Sequence, residues 1–405
     1  MKKVLYMLLS VCIVFVVFVA CSTAIGESEP SARSRAAKNE KEIYFGVAEP
    51  ITGANSEGGN QELLGIRYAN SVCPTVDIAG ETYTIKLLET DNESDANKAA
   101  IEAQRIVNSN PVAVLGCYGA EESEAAKEIY AESGIPLISV SRGEPQLALK
   151  SISSFSVSNT SDFQGKAMAN FAYGKGLRTA AIVTQAGSLY SEELGEIFSD
   201  EFLRLGGSAV AFSFDENQTD FETISVRIDV TNCDMVFLPA PMNSAPTVIK
   251  QLRRNGVRSP IFGTDSFDSA ASLKSCSIYG KNVYFCSGFD ETSTEPVPAE
   301  FVVKFKSWIN YKTERYELNG KSDFVSPIAA QAYDSYMVLV KALKSAQSLK
   351  PEDISKAIAQ VSFDGVSGKI SFDESGNQTE KLVYIKTYDT KAKSIEVLQT
   401  SSVGK

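Results

Sequence analysis

Residues 112–140 read VAVLGCYGAEESEAAKEIYAESGIPLISV, and the architecture is decided there. Val112–Leu115 is a short unbroken apolar run, the pattern of a strand buried on both faces, and it stops at Gly116. Glu121–Ala131 reads as a helix, and Pro136–Val140 as the next strand, bounded by Ser141-Arg142-Gly143. Two such strands joined by one helix must run parallel. The same rhythm extends upstream, with strands at Ile43–Ala48 and Thr84–Leu88. A helix follows at Asp95–Val107, carrying Ala99, Ala100, Ala103 and Ile106 at helical spacing. Downstream, Thr179–Thr184 is a strand and Ser191–Leu205 a helix stopped by Gly206-Gly207. Strands Ala209–Phe214, Met235–Leu238, Ile261–Phe262 and Asn282–Cys286 alternate with helices Asp220–Ile228 and Ala245–Arg254. Glu300–Tyr311 is a helix bearing the single tryptophan, Trp308. Pro327–Ser345 is a longer helix with Ile328, Ala332, Tyr336, Leu339 and Leu343 on its core face. Gly368–Phe372 and Leu382–Tyr388, split by the turn residues 373–377, read as a β-hairpin. The expected class is α/β, with two doubly wound parallel-sheet lobes.

The chain has 405 residues, enough for two such lobes. It contains no histidine, which removes Ser–His–Asp and Cys–His pairs, HExxH zinc sites and imidazole acid–base chemistry. The formal charge of −11 makes nucleic acid a poor partner. Asn319-Gly320-Lys321-Ser322 has the tail of a phosphate loop, but Arg315 stands where its first glycine belongs. Gly174-Lys175-Gly176 lacks the third glycine of a dinucleotide fingerprint and follows a helix rather than a strand. Acid pairs such as Glu121-Glu122 fall in first helical turns, where they complement the helix dipole. No catalytic residue, cofactor or metal site is expected, and the chain does not read as an enzyme.

Lys2 and Lys3 precede Val4–Ala20, apolar except for Ser10, and then comes Cys21. This is an export signal. Its Phe18-Val19-Ala20-Cys21 junction resembles that of bacterial lipoproteins, in which the cysteine is acylated; a single membrane anchor is the alternative. Residues 1–20 are then the signal, and residues 21–40 a polar, flexible tether on the outer side of a bacterial membrane. Loss of the two lysines takes the formal charge from −11 to −13. Five cysteines remain beyond Cys21, so at least one has no partner for an internal disulfide. Cys276 and Cys286 are the closest pair, either bridged or buried as thiols.

From Ile43 onward, ordered short motifs bear a family resemblance. Pro50-Ile51-Thr52-Gly53 resembles the P-[LIM]-[ST]-G turn of type I periplasmic binding proteins, in particular the leucine/isoleucine/valine- and amide-binding receptors of ABC transporters. Gly59, Gln61, Gly65 and Val112–Gly116 fit in register, and Ile129–Ser139 is the most diagnostic run. Tyr190, Leu252–Gly256, Gly263-Thr264-Asp265 and Ala332-Tyr333-Asp334 fit too, so the likeness spans about residues 41–390. It implies lobes at 41–161 plus 289–362 and at 162–288 plus 363–400, with three crossovers near 159–163, 287–290 and 361–367.

In such a receptor the ligand sits beyond the strand ends, where helix N-termini favour anions. The resemblance assigns Tyr118, Gly119, Ala120, Ser141, Arg142 and Gly143 to the anion side, Asp265 to a ligand ammonium, and Tyr190 and Pro241 to the walls. Helix capping by Ser141, packing of Tyr190, a turn role for Asp265 and an Arg142–Glu144 pair are the structural alternatives. Departures bear on the ligand. Ala120 and Gly143 replace the family's two hydroxyl donors, and an aromatic wall position falls on Gly58. Branched-chain specificity is therefore not implied, and an amino acid, an amide or a small carboxylate fits. The resemblance thus describes a monomeric, lipid-anchored solute receptor that docks on ABC permease subunits. The rival is a regulatory lipoprotein of the same fold that acts through protein contacts.

Overall fold

A computed structural model describes residues 41–140, 153–158 and 160–403. The first lobe is built on β1 (Lys41–Glu49), β2 (Thr75–Ile78), β3 (Glu81–Asp91), β4 (Ala113–Gly116), β5 (Leu137–Ser139) and β6 (Ser154–Ser156). Among the described residues these form one sheet in the order β2-β3-β1-β4-β5-β6, parallel except at β2. β1 is central because it is apolar on both faces. Ile43, Phe45 and Val47 pack under α1 (Ser56–Val72), while Ala48 faces α2 (Ala96–Asn108) and α3 (Ala120–Ser133). Four later helices belong to this lobe's half of the chain: α9 (Pro296–Asn310), α10 (Thr313–Leu318), α11 (Pro327–Ala346) and α12 (Pro351–Ala359). α11 crosses α1 so closely that a Cβ on Gly65 would stand 2.3 Å from the Ala329 carbonyl oxygen. The stripe of Ile328, Ala332, Tyr336, Leu339 and Leu343 lies in the first-lobe core, as expected.

The second lobe starts with α4 (Ser161–Gly174) and alternates through β7 (Thr179–Gln185), α5 (Leu189–Arg204), β8 (Ser208–Phe214), α6 (Glu222–Thr231), β9 (Met235–Phe237), α7 (Ala245–Arg254), β10 (Ile261–Gly263), α8 (Ala270–Tyr279) and β11 (Val283–Ser287). β14 (Lys381–Asp389) and β15 (Ser394–Val403) close its sheet, in the order β15-β14-β11-β10-β9-β7-β8. Alternation along β7 again divides two cores: Ala181 and Val183 face one, Ala180 and Ile182 the other. Phe198 stacks on Phe237 at 3.9 Å between ring centroids in the second of these.

The expected hairpin of Gly368–Phe372 with Leu382–Tyr388 does not form as a ladder. β13 (Gly368–Ile370) pairs instead with β12 (Phe363–Gly365), and β14 pairs with β11 and β15. The turn itself was legible, since the Asp373 carboxylate accepts from the backbone N–H groups of Ser375 and Asn377. Pairing across it ends at the Phe372–Gln378 bridge. Phe363, Ile370 and Phe372 pack on the first-lobe core, and Ser156 bridges Asn377. The stretch 363–378 therefore packs on the first lobe, where the second lobe is expected to resume at 363. Apolar side chains at 363, 370 and 372 drive this choice. Asp334 anchors it: the carboxylate is fully buried and accepts from Val366 N–H (2.9 Å), Ser367 N–H (2.8 Å) and the Ser367 hydroxyl (2.6 Å). Burial pushes its pKa up to about 6 despite those three bonds.

Cys73, Cys117, Cys233, Cys276 and Cys286 are all free thiols, so the Cys276–Cys286 question resolves to buried thiols. Cys21 lies outside the described residues. No helix among the described residues is long and apolar enough to cross a membrane.

A buried ion pair ties β14 to the turn after β10 and to the segment that leaves β11. Lys386 Nζ donates to Asp268 Oδ2 at 2.7 Å and to the Phe289 carbonyl at 2.5 Å, and the Ser287 hydroxyl donates to the same Asp268 oxygen at 2.5 Å. Lys386→Met leaves a buried carboxylate unpaired and should cost about 3–5 kcal/mol in urea unfolding. Lys386→Met with Asp268→Leu should recover most of that loss. A single variant as stable as the parent would show that the pair carries no such weight.

Candidate ligand-binding cleft

Loops at the carboxyl ends of the strands of both lobes converge on one cavity of about 70 Å³, room for on the order of five waters. Tyr118, Gly119, Ala120, Glu121 and Val140 line it from the first lobe; Ser188, Tyr190, Pro241, Met242 and Asp265 line it from the second. Gly288 of the second crossover and Ile328 and Gln331 of α11 close the back. Of the residues expected at the site, Tyr118, Gly119, Ala120, Tyr190, Pro241 and Asp265 are thus brought together. Ser141, Arg142 and Gly143 lie outside the described residues.

Asp265 opens a single 3-10 turn, Asp265–Phe267, directly after β10. Its two carboxylate oxygens have separate neutral donors: the Tyr190 hydroxyl to Oδ1 at 2.8 Å and the Gln164 amide to Oδ2 at 2.8 Å. Gln164 also accepts from the Asp265 N–H at 3.2 Å, which fixes the amide's orientation. Burial raises the carboxyl's pKa, and the Tyr190 and Gln164 bonds oppose that rise. No lysine or arginine among the described residues pairs with it. Such a carboxylate, oriented but not neutralised, suits a cationic group at the cavity wall. Tyr190 is thereby a positioning group as well as a wall; its hydroxyl also lies 2.5 Å from Thr264 Oγ1. Gln164, from α4, was missed because a glutamine in a helix carries no sequence signal until the helix is placed.

The opposite side is the N-terminus of α3. Gly119 has φ 97°, and a Cβ there would stand 2.1 Å from Glu122 Oε2, so only glycine fits. The Tyr118 N–H, one of the donors expected for a ligand anion, is taken by Glu49 Oε2 at 3.0 Å. Beneath this loop Glu49, Glu62 and Glu122 are all buried, and each leaves at least one oxygen unbonded. No three Asp, Glu or Cys side chains among the described residues are arranged to hold a metal ion. Burial pushes the Glu62 pKa up to about 8. Glu49 is raised by burial and then by its Glu62 neighbour, and Glu122 chiefly by burial. Protonation relieves that repulsion, because a neutral carboxyl can donate to the carboxylate beside it.

Two acids of the first lobe reach across to helix ends of the second. Glu121 Oε1 accepts from the Leu189 N–H at 2.8 Å, at the first turn of α5. Glu57, in the first turn of α1, faces Ser269 and Ala271 at the start of α8, which oppose the rise that burial imposes on its pKa. Glu121 thus serves a helix of the other lobe, not only the dipole of its own.

Two α/β lobes that meet across a cavity at their strand ends define a two-lobed binding protein. A model of the periplasmic binding protein family matches residues 42–393, and the chain belongs to that family, one of extracytoplasmic solute-binding proteins. It is similar to an amino acid binding protein of Pseudomonas aeruginosa, 23% identical over 358 residues that cover 87% of this chain and 91% of that one. Its fold matches the leucine binding protein LivK of Thermotoga maritima, with a TM-score of 0.78 and 25% identity over 88% of this chain and 98% of the other. It equally matches the branched-chain amino acid transporter substrate binding protein LivJ of Streptococcus pneumoniae, solved with isoleucine, at a TM-score of 0.78 and 25% identity over 90% and 99%.

The acid trio gives a pH prediction. A carboxyl raised from 4.5 to about 8 on folding holds a proton that the unfolded chain has released, so its contribution to stability falls as pH rises through that window. Glu62→Gln should therefore flatten the decline of melting temperature from about pH 4.5 to about pH 8. Parallel profiles for parent and variant, followed by calorimetry, would remove Glu62 from that role.

Proposed function

We propose that the chain is the lipid-anchored, extracytoplasmic solute receptor of an ABC importer, and that it binds without catalysing a reaction. It takes an amino acid or a related small polar solute, such as an amide or small carboxylate, between its lobes and delivers it to permease subunits as a monomer. Acylation of Cys21 anchors it, with residues 22–40 as the tether. One observation carries the ligand class: Asp265, held on both oxygens by Tyr190 and Gln164, faces the cavity opposite the N-terminus of α3. An ammonium at Asp265 and an acid or amide oxygen at the α3 end would span the gap. Ser141 and Arg142 belong to the same anion side on the family pattern. The names of the similar proteins, amino acid and leucine binders among them, support this reading.

A thermal-shift screen of amino acids, amides and small carboxylates tests it. A true ligand at a hundred times its Kd adds about 2.7 kcal/mol of apparent stability. Asp265→Ala should weaken an amino-bearing ligand about 30- to 5000-fold, or ~2–5 kcal/mol, by isothermal titration calorimetry. Unchanged affinity takes Asp265 out of the site.

The rival reading, an envelope-regulatory lipoprotein acting by protein contact, is favoured by the thinned anion side, where Ala120 has no hydroxyl and Glu49 takes the Tyr118 N–H. It predicts that no solute in the screen shifts the melting curve.

Closure has its own test. Hydrogen bonds to charged groups contribute about 1.5–3 kcal/mol each, less where solvent competes. Glu57→Ala with Glu121→Ala should therefore favour the open form. Ligand affinity should fall about 10-fold or more, and the radius of gyration at half-saturation, from X-ray scattering, should rise. A double variant that closes and binds like the parent would show these contacts to be incidental.

A further inference from the structure

We infer that the Tyr118 ring, seated on Gly58, is the wall that sets the largest solute the cavity accepts. The inference rests on the receptor reading and adds a specificity determinant to it. A Cβ built on Gly58 would lie 2.2 Å from Tyr118 Cζ and 2.4 and 2.5 Å from its two Cε atoms. The outer end of the ring therefore rests on the α1 backbone, and any side chain at 58 must displace it. The near end is fixed too, because the Tyr118 N–H donates to the buried Glu49 carboxyl. Between these anchors the ring packs on the first-lobe core along one edge and lines the cavity.

Its hydroxyl makes no hydrogen bond among the described residues. Burial opposes its ionisation, and the Asp265 charge adds to that; Tyr118 and Asp265 line the same cavity. The aromatic surface that the family pattern would place at position 58 of α1 is supplied here from the strand-end loop. A ring entering from that side occupies volume between α1 and the cavity, and its two anchors stop it swinging away. Rigid walls of this kind discriminate by steric cost rather than by affinity alone.

The test uses the folded full-length protein and three matched probe sets: amino acids, primary amides and carboxylates, each graded from methyl through isobutyl to benzyl side groups. By calorimetry the parent should bind the benzyl member of its preferred set at least 10-fold more weakly than the best smaller member. Tyr118→Ala should reverse that order by at least 10-fold, and Tyr118→Phe should keep the parent's order. Gly58→Ala should weaken all members by pushing the ring into the cavity, and adding Tyr118→Ala should restore binding, a coupling expected only for residues in contact. A parent that binds benzyl and smaller members equally, or a folded Tyr118→Ala with the parent's order, overturns the ring's role while leaving the receptor reading intact. Binding of no member at all overturns the receptor reading and this inference with it.

Discussion

The ion pair between Lys386 and Asp268 is the constraint on which the second lobe's half of the cleft depends. The two side chains are 4% and 0% exposed, so their charges are almost wholly removed from water. Buried pairs give little net stability compared with apolar packing, since desolvation offsets most of the attraction. What this one supplies is registry. Lys386 lies in the middle of β14, and its second bond reaches Phe289, just past the end of β11. Asp268 closes the 3-10 turn that begins at Asp265, its N–H donating to the Asp265 carbonyl at 2.9 Å. Tyr388, on the same strand as Lys386, donates to the Phe267 carbonyl inside that turn. The turn that carries the cavity carboxylate is therefore bonded to β14 and to the segment after β11.

The first lobe solves the opposite problem. Its contribution to the cleft is a loop and a helix start, both inviting negative charge, yet three glutamates are buried directly below. Retained protons make this arrangement tolerable, and the loop's glycines make it possible: a Cβ at Gly116 would stand 2.5 Å from Glu49 Oε1. The acids and the loop are thus packed as a unit, with the Tyr118 N–H as the explicit bond between them. The two lobes present unequal partners, a rigidly bonded carboxylate on one side and a proton-buffered loop on the other.

Much of this was legible in the sequence, for a reason particular to parallel sheets. Strands buried on both faces, such as Val112–Leu115 and Met235–Leu238, must be continuously apolar, and the helices between them must carry a single apolar face. The cleft residues follow from topology, because loops at strand ends are where ligands meet such sheets. Sequence reasoning failed where exposure or long range decided. β2 and β15 carry mixed polar residues on sheet edges and gave no signal. The turn at 373–377 was correctly read, but which sheet its flanks would join depended on Phe363, Ile370 and Phe372 meeting a core assembled from residues far away. Glu57, Gln164 and Glu121 took their roles from partners in the other lobe or across it. Gly58 read as a lost aromatic, while the structure fills that space with Tyr118.

Glu121, an acid of the first lobe, is received by the Leu189 N–H at the start of α5 in the other. The α5 terminus keeps its own cap, Ser188 accepting from the Ser191 N–H, so Glu121 adds a negative charge to a helix end already capped within its lobe. This bond between the lobes is exposed and carries a full charge, so added salt weakens it.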